Sequence, residues 1–434
     1  MRNLVFQIKK TEGLKGKEEK FTYQCIHCDF EVNDQSGVQY LCPQCSKENA
    51  PDKPPAGALR VVYDYHALRR KIKGFKELKQ NRYLDLFPVK SMESFPILRV
   101  GNTPMYRYAS NENTDFPFNL FLKDDSQNPT FSYKDRASAL VSAYARENGL
   151  STIVAASTGN AGSSMAGICA AQMQKAVIMV PESAPIAKIS QVLMYGATLV
   201  PVKGTYDDAF ELSLQATKAF GWYNRNTGFN PLTIEGKKTA AFEIYEQMQG
   251  NFPDHVFVPV GDGVIISGIY KGFEDLLQLE IIDRMPVIIA VQSAQSANLV
   301  NNLHTTNFKA SPSTTIADSI SVDIPRNFYM AKGFINKYDG KWVIVDDSEI
   351  METSAQLARN YGIFAEPAAA AAYAGLIRMH RNGEIREGSN NVVMLTGSGL
   401  KDLKSIQKIL LKPDSIECSL DSLRQFLSQN QRNF

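Results

Sequence analysis

The chain has 434 residues, 44% of them hydrophobic, and a formal net charge of +2 from 47 basic and 45 acidic side chains. That length exceeds one small core and suits two or three domains. The charge balance gives no support for a nucleic-acid or polybasic membrane role, and the sequence has no run of eighteen apolar residues to span a bilayer.

Met1–Lys10 lacks the long apolar run and cleavage site of a signal peptide, so a cytoplasmic protein is expected. Next come two tight cysteine pairs, Cys25-x2-Cys28 and Cys42-x2-Cys45, while Cys169 and Cys418 stand alone. In a cytosolic chain such pairs point to metal rather than disulfides. Their spacing suits two turns clamping one tetrahedral Zn²⁺, and four sulfurs leave no open position for catalysis. A reduced, metal-free pair of knuckles is the alternative. The residues between the pairs are expected to form a short hairpin with its tip at Asn33–Gly37. Pro51–Pro55 reads as a linker, and residues 62–93 as helical and charged, with Arg69–Lys73 on a solvated face.

From about residue 101, helices and strands alternate. Strands are expected at Asn119–Lys123, Thr152–Ala156, Ala176–Val180, Thr198–Val202, His255–Pro259, Val287–Val291, Lys341–Val345 and Asn391–Leu395. Helices are expected at Ala137–Asn148, Ala161–Ala171, Ala187–Tyr195, Tyr206–Ala219 and Val264–Leu277. A βαβ series with short links predicts mostly parallel sheets, here two α/β domains with a cleft between them. Ligands then sit beyond the strand C-termini, where helices begin.

Four loops at such junctions carry candidate chemistry. In Ser132-Tyr133-Lys134-Asp135-Arg136, a lysine among small and aromatic residues can lose its charge and attack an aldehyde. In Ser157-Thr158-Gly159-Asn160-Ala161-Gly162, backbone N–H groups suit a substrate α-carboxylate, and Asn160 can donate to a cofactor's phenolic oxygen. In Pro259–Ile265, the glycines of Gly261-Asp262-Gly263 let the backbone approach a phosphate. This loop is neither a dinucleotide fingerprint nor a nucleotide P-loop. In Leu395–Asp402, Thr396 can place a hydroxyl against a ring nitrogen without forcing its protonation, which favours elimination and replacement over transamination. Alone, the first segment also fits an ordinary surface lysine before a helix, and each of the other three an ordinary turn at a strand end. Together they describe a site for a flat anionic cofactor, pyridoxal phosphate (PLP), and a small amino-acid substrate.

Asn128-Pro129-Thr130 with Ser132–Arg136 resembles the Schiff-base lysine motif of the threonine synthase family, within the tryptophan-synthase-β-like PLP enzymes. Ser157–Asn160, Glu235-Gly236-Lys237-Lys238-Thr239, Gly261–Ile265, Glu366-Pro367-Ala368 and Thr396–Asp402 resemble further family motifs, in order, over about residues 98–402. The resemblance implies a fold type II PLP enzyme of class α/β: two three-layer α/β domains with a cofactor cleft between them, plus a small N-terminal zinc-ribbon-like module. The expected segments are 1–50 (module), 51–135 (linker and first part of the large domain), 136–240 (small domain), 241–411 (remainder of the large domain) and 412–434 (helical tail). It further implies conversion of O-phospho-L-homoserine and water to L-threonine and phosphate by a homodimer. Lys134 would hold PLP and shuttle protons. Asn160, Gly261, Asp262, Gly263, Val264, Ile265 and Thr396 would contact the cofactor, and Ser157, Thr158 and Gly159 the substrate. Cys25, Cys28, Cys42 and Cys45 would hold structural zinc.

Three positions depart from the family pattern. Ala161 stands where threonine is usual, Ser398 replaces the histidine of a Gly-His-Gly motif, and Thr233 occupies the place of a phosphate-gripping arginine. Losing a bidentate arginine at a phosphate site is not conservative. Arg225, Lys188, Lys237 and Arg326 are the basic residues offered in its place. A related ammonia-lyase or β-replacement enzyme is the alternative activity, and a regulator on a degenerate PLP fold is a third reading.

Overall fold

The computed structural model describes residues 20–33, 37–50, 52–110, 116–407, 410 and 412–429. The Met1–Lys10 stretch and residues 34–36 of the expected hairpin tip lie outside them.

Three short strands come first: β1 (Thr22–Cys25), β2 (Glu31–Asn33) and β3 (Leu59–Val62), antiparallel in the order β2-β1-β3. The burial alternates as a half-covered sheet requires, with Tyr23, Cys25, Leu59 and Val61 inward. The reversal between β1 and β2 is made by the first cysteine pair itself. Cys25 N donates to Phe30 O at 2.9 Å, Asp29 N donates to Cys25 O at 3.1 Å, and Asp29 has φ 56°. The hairpin expected between the two cysteine pairs is therefore displaced toward the first pair. The sheet also runs past residue 50, because β3 lies beyond the proline-containing segment. Residues 62–93 hold two short α-helices, α1 (Tyr65–Lys71) and α2 (Phe75–Gln80), separated by extended backbone at Ile72 and Gly74, and a 3-10 turn at Leu84–Leu86.

The chain then lays down β4 (Met105–Tyr108), β5 (Asn119–Asp124) and α3 (Lys134–Glu147). A smaller sheet follows, built from β6 (Thr152–Ala156), β7 (Lys175–Pro181), β8 (Thr198–Val202) and β9 (Tyr223–Asn224). Its order is β8-β7-β6-β9 and every pair is parallel. Its crossovers are α4 (Asn160–Gln172), α5 (Ile186–Met194) and α6 (Tyr206–Phe220). After α7 (Leu232–Lys237) and α8 (Thr239–Gln247), the chain returns with β10 (His255–Pro259), α9 (Val264–Gln278), β11 (Val287–Ser293), β12 (Lys341–Val345) and β13 (Asn390–Leu395). The larger sheet runs β12-β11-β10-β13-β5-β4, parallel except for β4 at its edge. Strands such as VIIAVQS of β11 are nearly continuous apolar runs because helices cover both faces. The helix Pro367–Arg381 opens on proline and buries a run of alanines, which lets it lie close against the sheet.

Two buried ionic clusters join these parts. In one, Arg136 of α3 bonds Asp125 and Glu243 of α8, each at 2.6 Å, and Lys123 of β5 reaches Glu243 at 2.7 Å. In the other, Lys238 pairs with Glu235 (2.5 Å) and Asp275 (2.7 Å), and Tyr63, just after β3, donates to Glu235 at 2.8 Å. The N-terminal sheet is thus tied to α7 and α9. Tyr40, between the cysteine pairs, stacks on Phe229 with centroids 4.5 Å apart and accepts a hydrogen bond from Asn224 N at 2.8 Å. The helix Leu420–Gln429 is a largely exposed tail. Among the described residues no helix is long and apolar enough to cross a membrane.

Candidate active site

A cavity of about 510 Å³ lies where the C-terminal ends of β6 and β10 face each other, between the two sheets. Its walls include Lys134, Ser157, Thr158, Gly159 and Asn160 from one side and Gly261 through Ile265 from the other. Ten of the expected site residues are thereby brought to one space. Thr396 is not in this lining. It follows β13 directly, behind the lysine turn, where its carbonyl accepts a bond from Tyr133 N at 2.9 Å.

Lys134 opens α3, and its turn is fixed by its neighbours. Tyr133 is fully buried and donates its hydroxyl to Lys237 O at 2.6 Å. Asp135 accepts from Thr130 N at 2.7 Å, and Ser132 forms a bridge with Gly397. These contacts leave the Lys134 side chain facing the cavity. Burial lowers its pKa from the ordinary lysine value and the Arg225 guanidinium lowers it further, while Glu366 and Asp262 oppose both. A lowered pKa makes the amine easier to deprotonate, which attack on a carbonyl carbon needs.

The Ser157–Asn160 loop leads straight into α4. A side chain at Gly162 would meet Ser157 O at 2.3 Å, so only glycine lets this loop fold down on the helix. Asn160 donates through Nδ2 to the carboxylate of Glu366 at 3.0 and 3.1 Å and to Ser319 Oγ at 3.3 Å. Glu366 is buried, and burial raises its pKa against the lowering effects of the Asn160 bond, Lys134 and Lys401. Glu366 appears in a sequence motif, yet its pairing with Asn160 across 206 positions carries no local signal.

The glycine loop caps the fifteen-residue α9. Gly263 has φ 83°, and its position is crowded by Ala331 and Leu299. The N–H groups of the first turn point out of the helix end, the geometry that favours a phosphate. Asp262 accepts from Arg326 N at 3.2 Å, which anchors the loop.

Arg225, which lines this space, is a buried cation whose Nη2 has no hydrogen-bond partner; the buried Lys237, at the end of α7, has none at Nζ. The lowered lysine, the helix end and Arg225 together make a cavity suited to an anionic aldehyde.

A family model described as "Pyridoxal-phosphate dependent enzyme" matches residues 97–397. A threonine synthase of Methanocaldococcus jannaschii is 34% identical over 414 residues, covering 94% of this chain and 99% of its own. That of Methanosarcina acetivorans is 31% identical, covering 93% and 97%. The chain belongs to the threonine synthase family of PLP-dependent enzymes. Its α/β fold is shared with the solved processed form of threonine deaminase isoform 2 from Solanum lycopersicum, at a TM-score of 0.62 and 23% identity over 77% of this chain and 92% of that one.

Away from the cavity, the sulfurs of Cys25, Cys28, Cys42 and Cys45 all lie within 4.8 Å of one another, and Cys28 and Cys42 are 3.7 Å apart. Tetrahedral Zn–S bonds place sulfurs about 3.8 Å apart, so the cluster is one that could hold a metal ion. His27 is engaged elsewhere, since its Nδ1 accepts from Gly57 N at 3.2 Å.

Proposed function

We propose that this protein converts O-phospho-L-homoserine and water to L-threonine and phosphate. The observation that carries the reading is the Lys134 amine, its pKa lowered, facing a cavity shared by the Ser157–Asn160 loop and the start of α9, in a chain aligned to threonine synthases over more than nine-tenths of its length.

When bound, PLP supplies the electron sink for charge that develops on the substrate. Lys134 would hold the cofactor and would move protons among Cα, Cβ and Cγ of the substrate. Ser157, Thr158 and Gly159 grip the substrate carboxylate through backbone N–H and hydroxyl groups. Gly261, Asp262, Gly263, Val264 and Ile265, at the start of α9, take the cofactor phosphate. Asn160, oriented by Glu366, would serve the cofactor's phenolic oxygen, and Thr396 would serve its ring nitrogen. The Cγ–O bond breaks with its electron pair leaving on phosphate, and the oxygen of water adds at Cβ. Cys25, Cys28, Cys42 and Cys45 hold a structural zinc ion, and two copies assemble as a homodimer.

The test is turnover of the PLP-loaded protein with O-phospho-L-homoserine, L-threonine, L-serine and O-phospho-L-serine, each alone. Phosphate release matched by threonine formation is expected. Keto acid and ammonia from an unphosphorylated amino acid, with no phosphate from phosphohomoserine, would reject the proposal and favour an ammonia-lyase.

A further inference from the structure

We infer that Tyr40 and His27 of the cysteine module are positioning residues, each holding one wall of the active-site cavity, so that the module sets the spacing between the two walls. That role rests on the cavity assigned above, not on the reaction proposed for it.

Neither residue lines the cavity. Tyr40 acts through Asn224, the last residue of the two-residue edge strand β9. Asn224 N donates to the Tyr40 hydroxyl at 2.8 Å. Asn224 is fully buried, and a buried N–H on a strand edge with no partner is costly. Asn224 in turn ties the loop that follows it. Its carbonyl accepts from Asn230 Nδ2 at 2.7 Å, and its Oδ1 accepts from Asn226 N at 2.8 Å. The residues so held, Arg225, Asn226 and Thr227, line the cavity. Asn226 Oδ1 also accepts from Ala156 N at 2.8 Å, immediately before the Ser157–Asn160 loop. The stack of Tyr40 on Phe229 secures the far end of the same segment.

His27 acts on the opposite wall. Its ring meets that of Tyr329 edge to face, with centroids 4.8 Å apart. Tyr329 lies in the first turn of the helix Phe328–Lys337, two residues after Asn327. Asn327 N donates to Asp262 O at 3.0 Å and its Nδ2 to Ser267 Oγ at 2.7 Å. With the bond from Arg326 N to Asp262 Oδ1, the start of this helix fixes the glycine loop that opens α9.

The two contacts are mounted on one small piece. His27 lies inside the first cysteine pair and Tyr40 two residues before the second. Gly57 joins the pairs: its N–H donates to His27 Nδ1 at 3.2 Å, and its carbonyl accepts from Cys42 N at 2.8 Å. A side chain at Gly57, where φ is 81°, would meet Cys42 Cβ and Cys45 Cβ at 3.3 Å. A metal ion bound by the four sulfurs, which lie within 4.8 Å of one another, locks one pair against the other. Movement between the pairs then becomes movement between Asn224 and Tyr329. The walls need such a tie. They belong to different sheets, and among the described residues no strand pairing joins those sheets. The ion pairs Lys188–Asp318 and Arg326–Asp207 also cross from one side to the other, but they are partly exposed, and such pairs hold weakly.

The experiment compares wild type, Tyr40→Phe, Tyr329→Leu and wild type stripped of metal by a chelator. PLP affinity is read from the visible spectrum, KM with O-phospho-L-homoserine, and backbone exchange by hydrogen–deuterium mass spectrometry over residues 225–229 and 259–265. Tyr40→Phe keeps the stack on Phe229 and removes the acceptor. It should raise KM about fivefold or more and speed exchange over 225–229, with PLP affinity and the 259–265 segment nearly unchanged. Tyr329→Leu should do the reverse, weakening PLP binding about threefold or more and speeding exchange over 259–265. The stripped protein should show both effects together. Unchanged PLP affinity and exchange in the stripped protein would overturn the role, as would a uniform rise in exchange along the chain in either variant, the mark of lost stability alone. Should the stripped protein unfold, the two metal-loaded variants decide, and wild-type PLP affinity and exchange in both would overturn it. If none of the four proteins releases phosphate from phosphohomoserine, the proposed reaction fails, while PLP affinity and exchange still decide the role of Tyr40 and His27.

Discussion

At Lys134, burial and the Arg225 guanidinium act in one direction while Glu366 and Asp262 act in the other. Lys134→Ala should lower kcat by at least about 10³-fold and abolish the borohydride-sensitive visible band of the lysine-bound cofactor, while PLP still binds reversibly. Arg225→Gln removes a charge that lowers the amine's pKa, so that pKa should rise. The rate at which the PLP-free protein captures PLP should then reach its half-maximum at higher pH than in the wild type, measured by stopped-flow absorbance. An unchanged midpoint would mean that burial alone sets the amine. A lysine among small and aromatic residues was recognisable from the sequence; the guanidinium acting on it was not, because ninety-one positions separate the two residues.

Helix α8 supplies the carboxylate of its buried ionic cluster through Glu243. Burial raises the pKa of this carboxyl, but Arg136 and Lys123 outweigh it and hold the group at about 2. Its folded-state pKa is depressed, so its contribution is present above the unfolded carboxylate range and is lost as pH falls toward 2. The contribution is on the order of 3 kcal/mol. Thermal unfolding should therefore change little through this group between pH 7 and 5 and fall between about pH 4.5 and 2. Glu243→Gln should flatten that acid limb and lower stability at pH 7 by about 3–5 kcal/mol, because Arg136 and Lys123 lose their counter-charge. A second prediction concerns α4. Gly162→Ala should displace the Ser157 carbonyl and raise KM for the amino-acid substrate by about tenfold or more, with PLP content nearly unchanged. The strands and crossover helices of the parallel sheets were readable from apolar runs between small-residue loops. Less so were α7 and α8, whose polar and charged residues are buried by partners far along the chain. Lys123 breaks the apolar pattern of β5 for the same reason: its counter-charge is 120 residues away.

Taken whole, the molecule does not carry its cysteine module as a detachable bead. Strand β3 pairs with β1 across the proline-containing segment, Tyr63 reaches Glu235, and Tyr40 covers Phe229 beside the Arg225–Thr227 stretch. Elemental analysis should find one zinc ion per chain. Its removal by a chelator should lower the melting temperature of the entire protein by about 5 °C or more and reduce kcat, seen as one shifted calorimetric transition rather than a new early one. A separate low-temperature transition with undiminished activity would show an independent module. The two-sheet arrangement could be inferred from the chain because each sheet draws its strands from a continuous βαβ series or its return. The seam between module and enzyme could not, since four-residue strands take their partners from tertiary packing rather than from local pattern.

The strand order of the larger sheet also has a consequence for how the protein is made. Strand β13 is the last of the sheet in the chain but lies in its middle, between β10 and β5. While the ribosome has yet to deliver residues 390–395, those two strands have no neighbour between them, and their bare edges invite mispairing. The same late segment brings Thr396 and Gly397 to the turn that presents Lys134. A nascent chain stalled before residue 390 should therefore be unable to retain PLP, however complete its smaller sheet, and cofactor capture becomes a signal that the larger sheet has closed.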